Sequence, residues 1–218
     1  MKFKRFVFAF VMLVCMFTLS ACSSSEPKNR TTNNNPQDTV QMTIYAYDGK
    51  GESFFGVFNL GHSFLSFKNN GSEQIIIGKY VLLPDEEITI STWCIQDSFG
   101  VWYNVESSYI HFHNKYDGRY SITTNINVDK LDKLNKYILS NDEWRPTKNC
   151  TNFVTGAWNT VVASEEKLAT QTIYTPTKLV RSIKCFKDCK FNNPVALNEN
   201  LGYFKGSKFV QFKMEEAK

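Results

Sequence analysis

Two residues in this chain have the types and the setting for nucleophilic chemistry. Cys150 stands in Asn149-Cys150-Thr151-Asn152-Phe153-Val154, where a helix is expected to begin, and His62 stands upstream in the apolar run Gly61-His62-Ser63-Phe64-Leu65. A thiol attacks a carbonyl only as the thiolate. A helix N-terminus and a neighbouring imidazole both stabilise that anion, lowering the cysteine pKa from about 8.5. Asn149 and Thr151 flank the cysteine with polar groups, which favours a wet helix end. The bland alternatives are a buried core cysteine and a satisfied strand histidine between small neighbours. Period-two alternation puts His62, Phe64 and Ser66 on one face, and that face is expected to pack on the Cys150 helix. His111 and His113 also recur at period two, but two imidazoles without a completing carboxylate are too few for a metal. They are expected on the solvent face, and no metal or other cofactor is expected.

Positioning these residues takes a sheet and several helices. Val40–Tyr47 alternates and is rich in β-formers. Gly61–Lys68 and Glu73–Leu82 flank Asn69-Asn70-Gly71, a turn signal, so they are expected to form a hairpin. Ile88–Trp93, Tyr109–Phe112 and Arg119–Asn125 read as further strands, and Lys208–Met214 as a last edge strand. Val128, Leu131, Leu134 and Ile138 recur at helical spacing behind Asn127, a cap. Cys150–Val162 is helical, with Phe153, Val154, Ala157, Trp158 and Val161 on its buried side, and a third helix runs from Thr175-Pro176-Thr177 through Ile183. The fold class expected is α+β: an antiparallel sheet with helices packed on one side.

The N-terminus specifies a compartment. Lys2, Lys4 and Arg5 precede an apolar run from Phe6 to Leu19, and Leu19-Ser20-Ala21-Cys22 closes it with small residues. The layout is that of a secretory signal, too short to span a bilayer. The final tetrad looks like a bacterial lipobox, in which residues 1–21 are removed and Cys22 is lipidated with acyl chains such as palmitate. The alternative is an ordinary signal peptide cut before a cysteine. More than one acyl chain gives stable anchoring where a single chain does not. Residues 22–38 are polar and Pro- and Asn-rich, a flexible tether of about 20 Å. Removing residues 1–21 takes three of the +4 formal charges, leaving +1. That near-neutral balance excludes an electrostatic case for nucleic acid. Residues 39–218 form one domain, and 18 Phe and 10 Tyr are enough to fill its core. Idle thiols tend to oxidise outside the cytoplasm. Cys185 and Cys189 could pair locally, Cys94 could pair with one of them, or they could remain free; connectivity is not readable from sequence.

Histidine before cysteine is the reverse of papain. That order, the Gly-His strand, Phe99-Gly100-Val101-Trp102-Tyr103-Asn104 and the Asn-Cys helix ending Ala157-Trp158-Asn159 together resemble the circularly permuted papain-like hydrolases. These include the NlpC-type amidases and the lecithin retinol acyltransferase-like enzymes, and the resemblance runs from about Ile44 to Ile183. It implies a third residue on the strand after the histidine, orienting the imidazole. Gln74 is the choice here, with Glu73 second, where the family has a histidine. It further implies a lipid-anchored envelope thiol hydrolase, an amidase or peptidase with Cys150 as nucleophile and His62 as general base, acting on wall peptide or, alternatively, on lipid esters as an acyl hydrolase or transferase. The reading from another class is a non-catalytic surface lipoprotein that binds wall fragments or another envelope protein.

Overall fold

Alternating β-formers and a few strong breakers lay out the chain. The strands are β1 (Val40–Tyr47), β2 (Ser53–Phe54), β3 (Val57–Phe58), β4 (His62–Asn69), β5 (Ile75–Ile77), β6 (Tyr80–Leu82), β7 (Glu87–Ile95), β8 (Ser98–Tyr103), β9 (Tyr120–Ile126), β10 (Lys190–Phe191), β11 (Gly202–Lys205) and β12 (Lys208–Gln211). The helices are α1 (Val105–His113), α2 (Val128–Ser140), α3 (Cys150–Val161) and α4 (Pro176–Ile183). The computed structural model describes residues 28, 39–49, 53–54, 57–58, 61–95 and 97–212, apart from the side chains of Ser53, Phe54, Val57, Phe58 and Val128. The signal segment and Cys22 lie outside the described residues.

Eight strands make one antiparallel sheet in the order β10-β9-β1-β4-β7-β8-β11-β12. The architecture is α+β. Met42, Ile44, Leu65, Phe67, Ile88, Ile90 and Ile122 share one sheet face and are buried with Leu134, Ile138, Phe153, Trp158 and Leu179 of α2, α3 and α4. Their burial is the main driving force, roughly 1.5–3 kcal/mol for each large aliphatic side chain. The α2–α3 crossing is close because residue 156 is glycine: a Cβ there would lie 2.0 Å from the Tyr137 hydroxyl oxygen.

The opposite sheet face carries Tyr45, Tyr47 and Phe64, which pack with Tyr109 and Ile110 of α1 and with Tyr116. Helices therefore cover both faces, three on one and α1 on the other. The Tyr109–Phe112 stretch, expected as a strand, is the second half of α1. Strand β8 ends at Tyr103, and Asn104 after it takes φ 62. Asn104 is locked there, its Oδ1 accepting from Thr89 N–H and its Nδ2 donating to Asn200 O. The chain then turns into a helix whatever the local β-propensity. The expected pairing of Gly61–Lys68 with Glu73–Leu82 is also absent. Strand β4 lies between β1 and β7, and Glu73–Leu82 folds on itself as the β5–β6 hairpin. Its two-residue turn starts at Gly78, φ +63, a conformation glycine adopts without strain.

Lys28 belongs to the segment expected as a free tether, yet it is held against the domain. Its N–H donates to Cys185 O (2.9 Å), its carbonyl accepts from Lys187 N–H (3.2 Å), and its Nζ lies 5.5 Å from the Phe186 ring centroid. The segment is not free along its whole length. Cys185 is disulfide-bonded, and neither Cys94 nor Cys189 is its partner, since both are free thiols. None of the pairings weighed among these three forms. No helix among the described residues is long and apolar enough to cross a membrane.

Candidate active site

Cys150 is the first residue of α3. Asn149 caps the helix: its Oδ1 accepts from the Thr151 N–H (2.9 Å) and Asn152 N–H (3.1 Å), and its own carbonyl accepts from Phe153 N–H. Three of the first-turn donors are thus used. Among the described residues no hydrogen bond from the Cys150 N–H is seen, as for a first-turn donor that the helix itself cannot satisfy. The cap is itself held, since Asn149 Nδ2 donates to Pro146 O and Tyr174 O.

His62 opens β4. Gly61 before it adopts φ +80, with Tyr47 O only 2.2 Å from where a Cβ would stand, so the chain enters the strand through a turn only glycine fits. The face assignment differs from the expected one. Ser63, Leu65 and Phe67 look toward α3, with Ser63 Oγ 3.2 Å from Thr151 Oγ1, whereas His62 and Phe64 look toward α1. The imidazole still reaches Cys150 because it sits at the sheet's end. Pairing of β4 with β7 runs only from Lys68↔Glu87 to Leu65↔Ile90, so the two strands part before His62. The ring occupies that opening and touches both layers.

On the α1 side His62 Nε2 lies 2.8 Å from Glu106 Oε1. Glu106 is fully buried, and the Trp93 indole N–H donates to the same oxygen at 2.8 Å. Its other oxygen, Oε2, is buried with no hydrogen-bond partner among the described residues. Trp93 and Tyr116 pack on the imidazole with ring centroids 4.2 and 5.5 Å away, limiting it to one orientation. With Nε2 committed to the carboxylate, Nδ1 is the nitrogen left for the thiol.

The thiol and the imidazole are neighbours close enough to couple as charges and as hydrogen-bonding groups. Burial disfavours the imidazolium, but the Cys150 thiolate and then Glu106 outweigh it and raise His62 from 6.5 to about 9. Burial also disfavours the thiolate. It is outweighed by the His62 charge and hydrogen bond, with help from the Ser63 backbone and the Thr151 hydroxyl, so Cys150 falls below its ordinary value. Both shifts favour the thiolate–imidazolium pair over the neutral thiol and imidazole.

Gln74 is not at this site. It is exposed, just ahead of β5, beyond the Asn69 end of β4. An eight-residue strand places that end roughly 23 Å from His62. Glu73, the second choice, lies beside it and is also exposed. The imidazole's partner is Glu106, which the sequence reading missed. Its signal was faint: one acid in Tyr103-Asn104-Val105-Glu106-Ser107-Ser108, directly after the aromatic motif. His111 is exposed on α1 with Nε2 2.8 Å from Val195 O, and His113 packs its ring by Tyr109. Among the described residues no group of three His, Cys, Asp or Glu side chains could hold a metal ion. Comparison with protein-family models, with curated proteins and with solved structures gave no match.

Proposed function

We propose that this chain is an envelope lipoprotein carrying a thiol hydrolase of the permuted papain-like, NlpC-type class, which cleaves an amide or peptide bond. One observation carries the reading: an imidazole held by a buried carboxylate at 2.8 Å is coupled to a helix-start thiol, the set Cys150, His62 and Glu106. The set has the parts a covalent mechanism requires, a nucleophile, a base and a group that orients the base.

In this mechanism the Cys150 thiolate attacks the carbonyl carbon, forming the C–S bond as the carbonyl π pair moves to oxygen. The Cys150 N–H, at the positive end of α3, donates to that oxyanion. The His62 imidazolium gives its Nδ1 proton to the leaving nitrogen, the C–N bond breaks, and a thioester remains. Neutral His62 then takes a proton from water, the hydroxide adds to the thioester, and collapse releases the acid and the thiolate. Glu106 keeps the ring facing the sulfur and stabilises the imidazolium. The same steps would cleave an ester.

Alkylation tests the reading without a known substrate. Iodoacetamide should modify Cys150 well below pH 8, faster than Cys94 or Cys189, and the adduct should be located by peptide mass. If Cys150 reacts no faster at pH 6.5 than an ordinary thiol, the hydrolase reading is wrong.

A further inference from the structure

We infer that the Thr151 hydroxyl donates to the Cys150 sulfur and receives the charge of the thiolate, with the Ser63 hydroxyl donating to Thr151 from behind. Thr151 is then a further catalytic residue, and Ser63 a positioning residue that acts through it. The inference rests on Cys150 as the nucleophile of the proposed function and adds the groups that hold its negative charge.

The contacts form one chain. Cys150 Sγ lies 4.0 Å from Thr151 Oγ1, and Thr151 Oγ1 lies 3.2 Å from Ser63 Oγ. Thr151 and Ser63 are fully buried, so solvent does not satisfy either hydroxyl. Among the described residues neither hydroxyl has another hydrogen bond. The place of Thr151 in the helix explains why. Inside a helix a threonine hydroxyl is drawn to a carbonyl about one turn earlier, as Thr160 donates to Ala157 O at 2.7 Å. Thr151 is the second residue of α3, and no helical turn precedes it. Its hydroxyl is left for side chains.

A thiolate can only accept, which sets the direction of the chain. The thiol proton passes to His62 Nδ1, the Thr151 O–H donates to the sulfur, and the Ser63 O–H donates to Thr151 Oγ1. Each bond polarises the next. A contact of 4.0 Å is long for a neutral thiol and closes as charge builds on the sulfur. Strand β4 therefore serves both partners of the ion pair with adjacent residues. His62 faces α1 and carries the positive charge, and Ser63 faces α3 and supports the negative one. Ser63 is fixed in the opening that β7 leaves, its carbonyl accepting from Ser91 Oγ at 2.7 Å. Burial opposes the Cys150 thiolate and the His62 charge favours it most; the Ser63 backbone N–H and the Thr151 hydroxyl act in the same direction as His62.

The test is the pH profile of iodoacetamide alkylation at Cys150, read by peptide mass, in the parent and in Thr151→Val, which keeps the shape and removes the donor. Expected is an acid limb moved to higher pH. Below the limb the variant should react about tenfold more slowly, the scale of one hydrogen bond to a charged group. Above it the variant should match or exceed the parent, because a thiolate of higher pKa is the stronger nucleophile. A merely structural role would not make the two profiles converge or cross. Thr151→Ser should restore the parent limb, and Ser63→Ala should move it the same way by less. Thr155 supplies the control: it stands one turn further along α3, fully buried, with a hydroxyl that has no partner among the described residues. Thr155→Val should leave the limb in place. An unmoved limb in Thr151→Val, an equal shift in Thr155→Val, or no rescue by Thr151→Ser overturns the inference. If Thr151→Val does not fold because it strands the Ser63 hydroxyl, the double variant Ser63→Ala, Thr151→Val removes both partners and carries the same comparison. The parent profile judges the hydrolase reading separately. An ordinary acid limb in the parent sinks that reading, while the displacement between parent and variant is read wherever the parent limb falls.

Discussion

Strand β4 ends in a buried polar residue on either side, and the two ends treat it differently. At Asn69 the network is closed: Nδ2 donates to Glu73 O (2.8 Å) and Leu82 O (3.2 Å), and Oδ1 accepts from Gly71 N–H (3.0 Å). At His62 it is open. Glu106 Oε2 and, on the adjoining strand, Thr92 Oγ1 are buried without partners among the described residues. A closed network fixes a loop, and its energy is spent on the fold. An open one leaves costly, desolvated groups in place. Such groups persist where they serve something besides stability, and only the open end holds a nucleophile.

Breaking the open end should give the largest change. Cys150→Ala removes the reactive thiol, and turnover on any confirmed substrate should vanish. In His62→Ala the thiol keeps its burial but loses the charge that offsets it, so its pKa should rise above the ordinary range. Alkylation at pH 6.5 should slow on the order of a hundredfold, because the thiolate fraction falls as the pKa rises. Cys150→Ala should melt near the parent, whereas His62→Ala should melt lower because it leaves the buried Glu106 carboxylate without its charge partner, so its alkylation is compared below the melting transition. Retained alkylation in His62→Ala would mean that the helix end alone activates the sulfur.

Breaking the closed end should leave the thiol untouched and cost stability. Asn69→Ala strands the buried Leu82 carbonyl and the partly buried Glu73 carbonyl and Gly71 N–H, at about 1–3 kcal/mol for a buried group left without a partner and less for the other two. Partial rehydration at the loop brings the expected total to about 3 kcal/mol. Chemical denaturation reads this as a lower midpoint at unchanged slope, and alkylation of the folded protein should match the parent. A change in thiol reactivity here would make the two ends one coupled unit.

Glu106→Gln sharpens the contrast within the open end. The amide keeps the shape and can accept the His62 N–H, but it no longer favours the imidazolium by charge. The active ion pair exists from the depressed Cys150 pKa up to the His62 pKa, about 9 in the parent. Removing a cause that raises His62 must move the alkaline limb of the pH–rate profile to lower pH. Expected is little change in turnover at neutral pH, where the imidazolium still prevails, and a loss of about tenfold on the alkaline limb. An unmoved alkaline limb would show that Glu106 supports the fold only.

Much of this was legible in the sequence, and the failures have physical causes. Strand β1 and helices α2, α3 and α4 follow from period and caps, because each buries one face and stops at a strong signal. Asn127 and Asn149 cap as their side chains allow, and Thr175 caps ahead of Pro176. The α1 segment misled because Tyr109-Ile110-His111-Phe112 has β-formers at period two. Asn104 forces the turn through contacts to Thr89 and Asn200, distant partners no local pattern contains. The dyad residues were readable as types in settings. Their partner was not, because Glu106 is brought to His62 by a helix packed on the opposite sheet face. Gln74 was carried over from a resemblance, and the hairpin that would have brought it near His62 does not form.

The smallest effect expected is that of Gln74→Ala, and it is informative for that reason. Gln74 is exposed, lies beyond Asn69, and is separated from the imidazole by the length of β4. No hydrogen bond of its side chain enters either network, so the substitution should change stability by no more than about 0.5 kcal/mol. It should leave the rate and pH dependence of Cys150 alkylation unchanged. If Gln74 oriented the imidazole, its loss would let the ring rotate and would slow alkylation while sparing the fold. The pairing of His62 with Glu106 predicts silence at position 74 and a shifted alkaline limb at position 106. The same pH titration on both variants separates the two assignments, since one ring nitrogen has room for only one such partner.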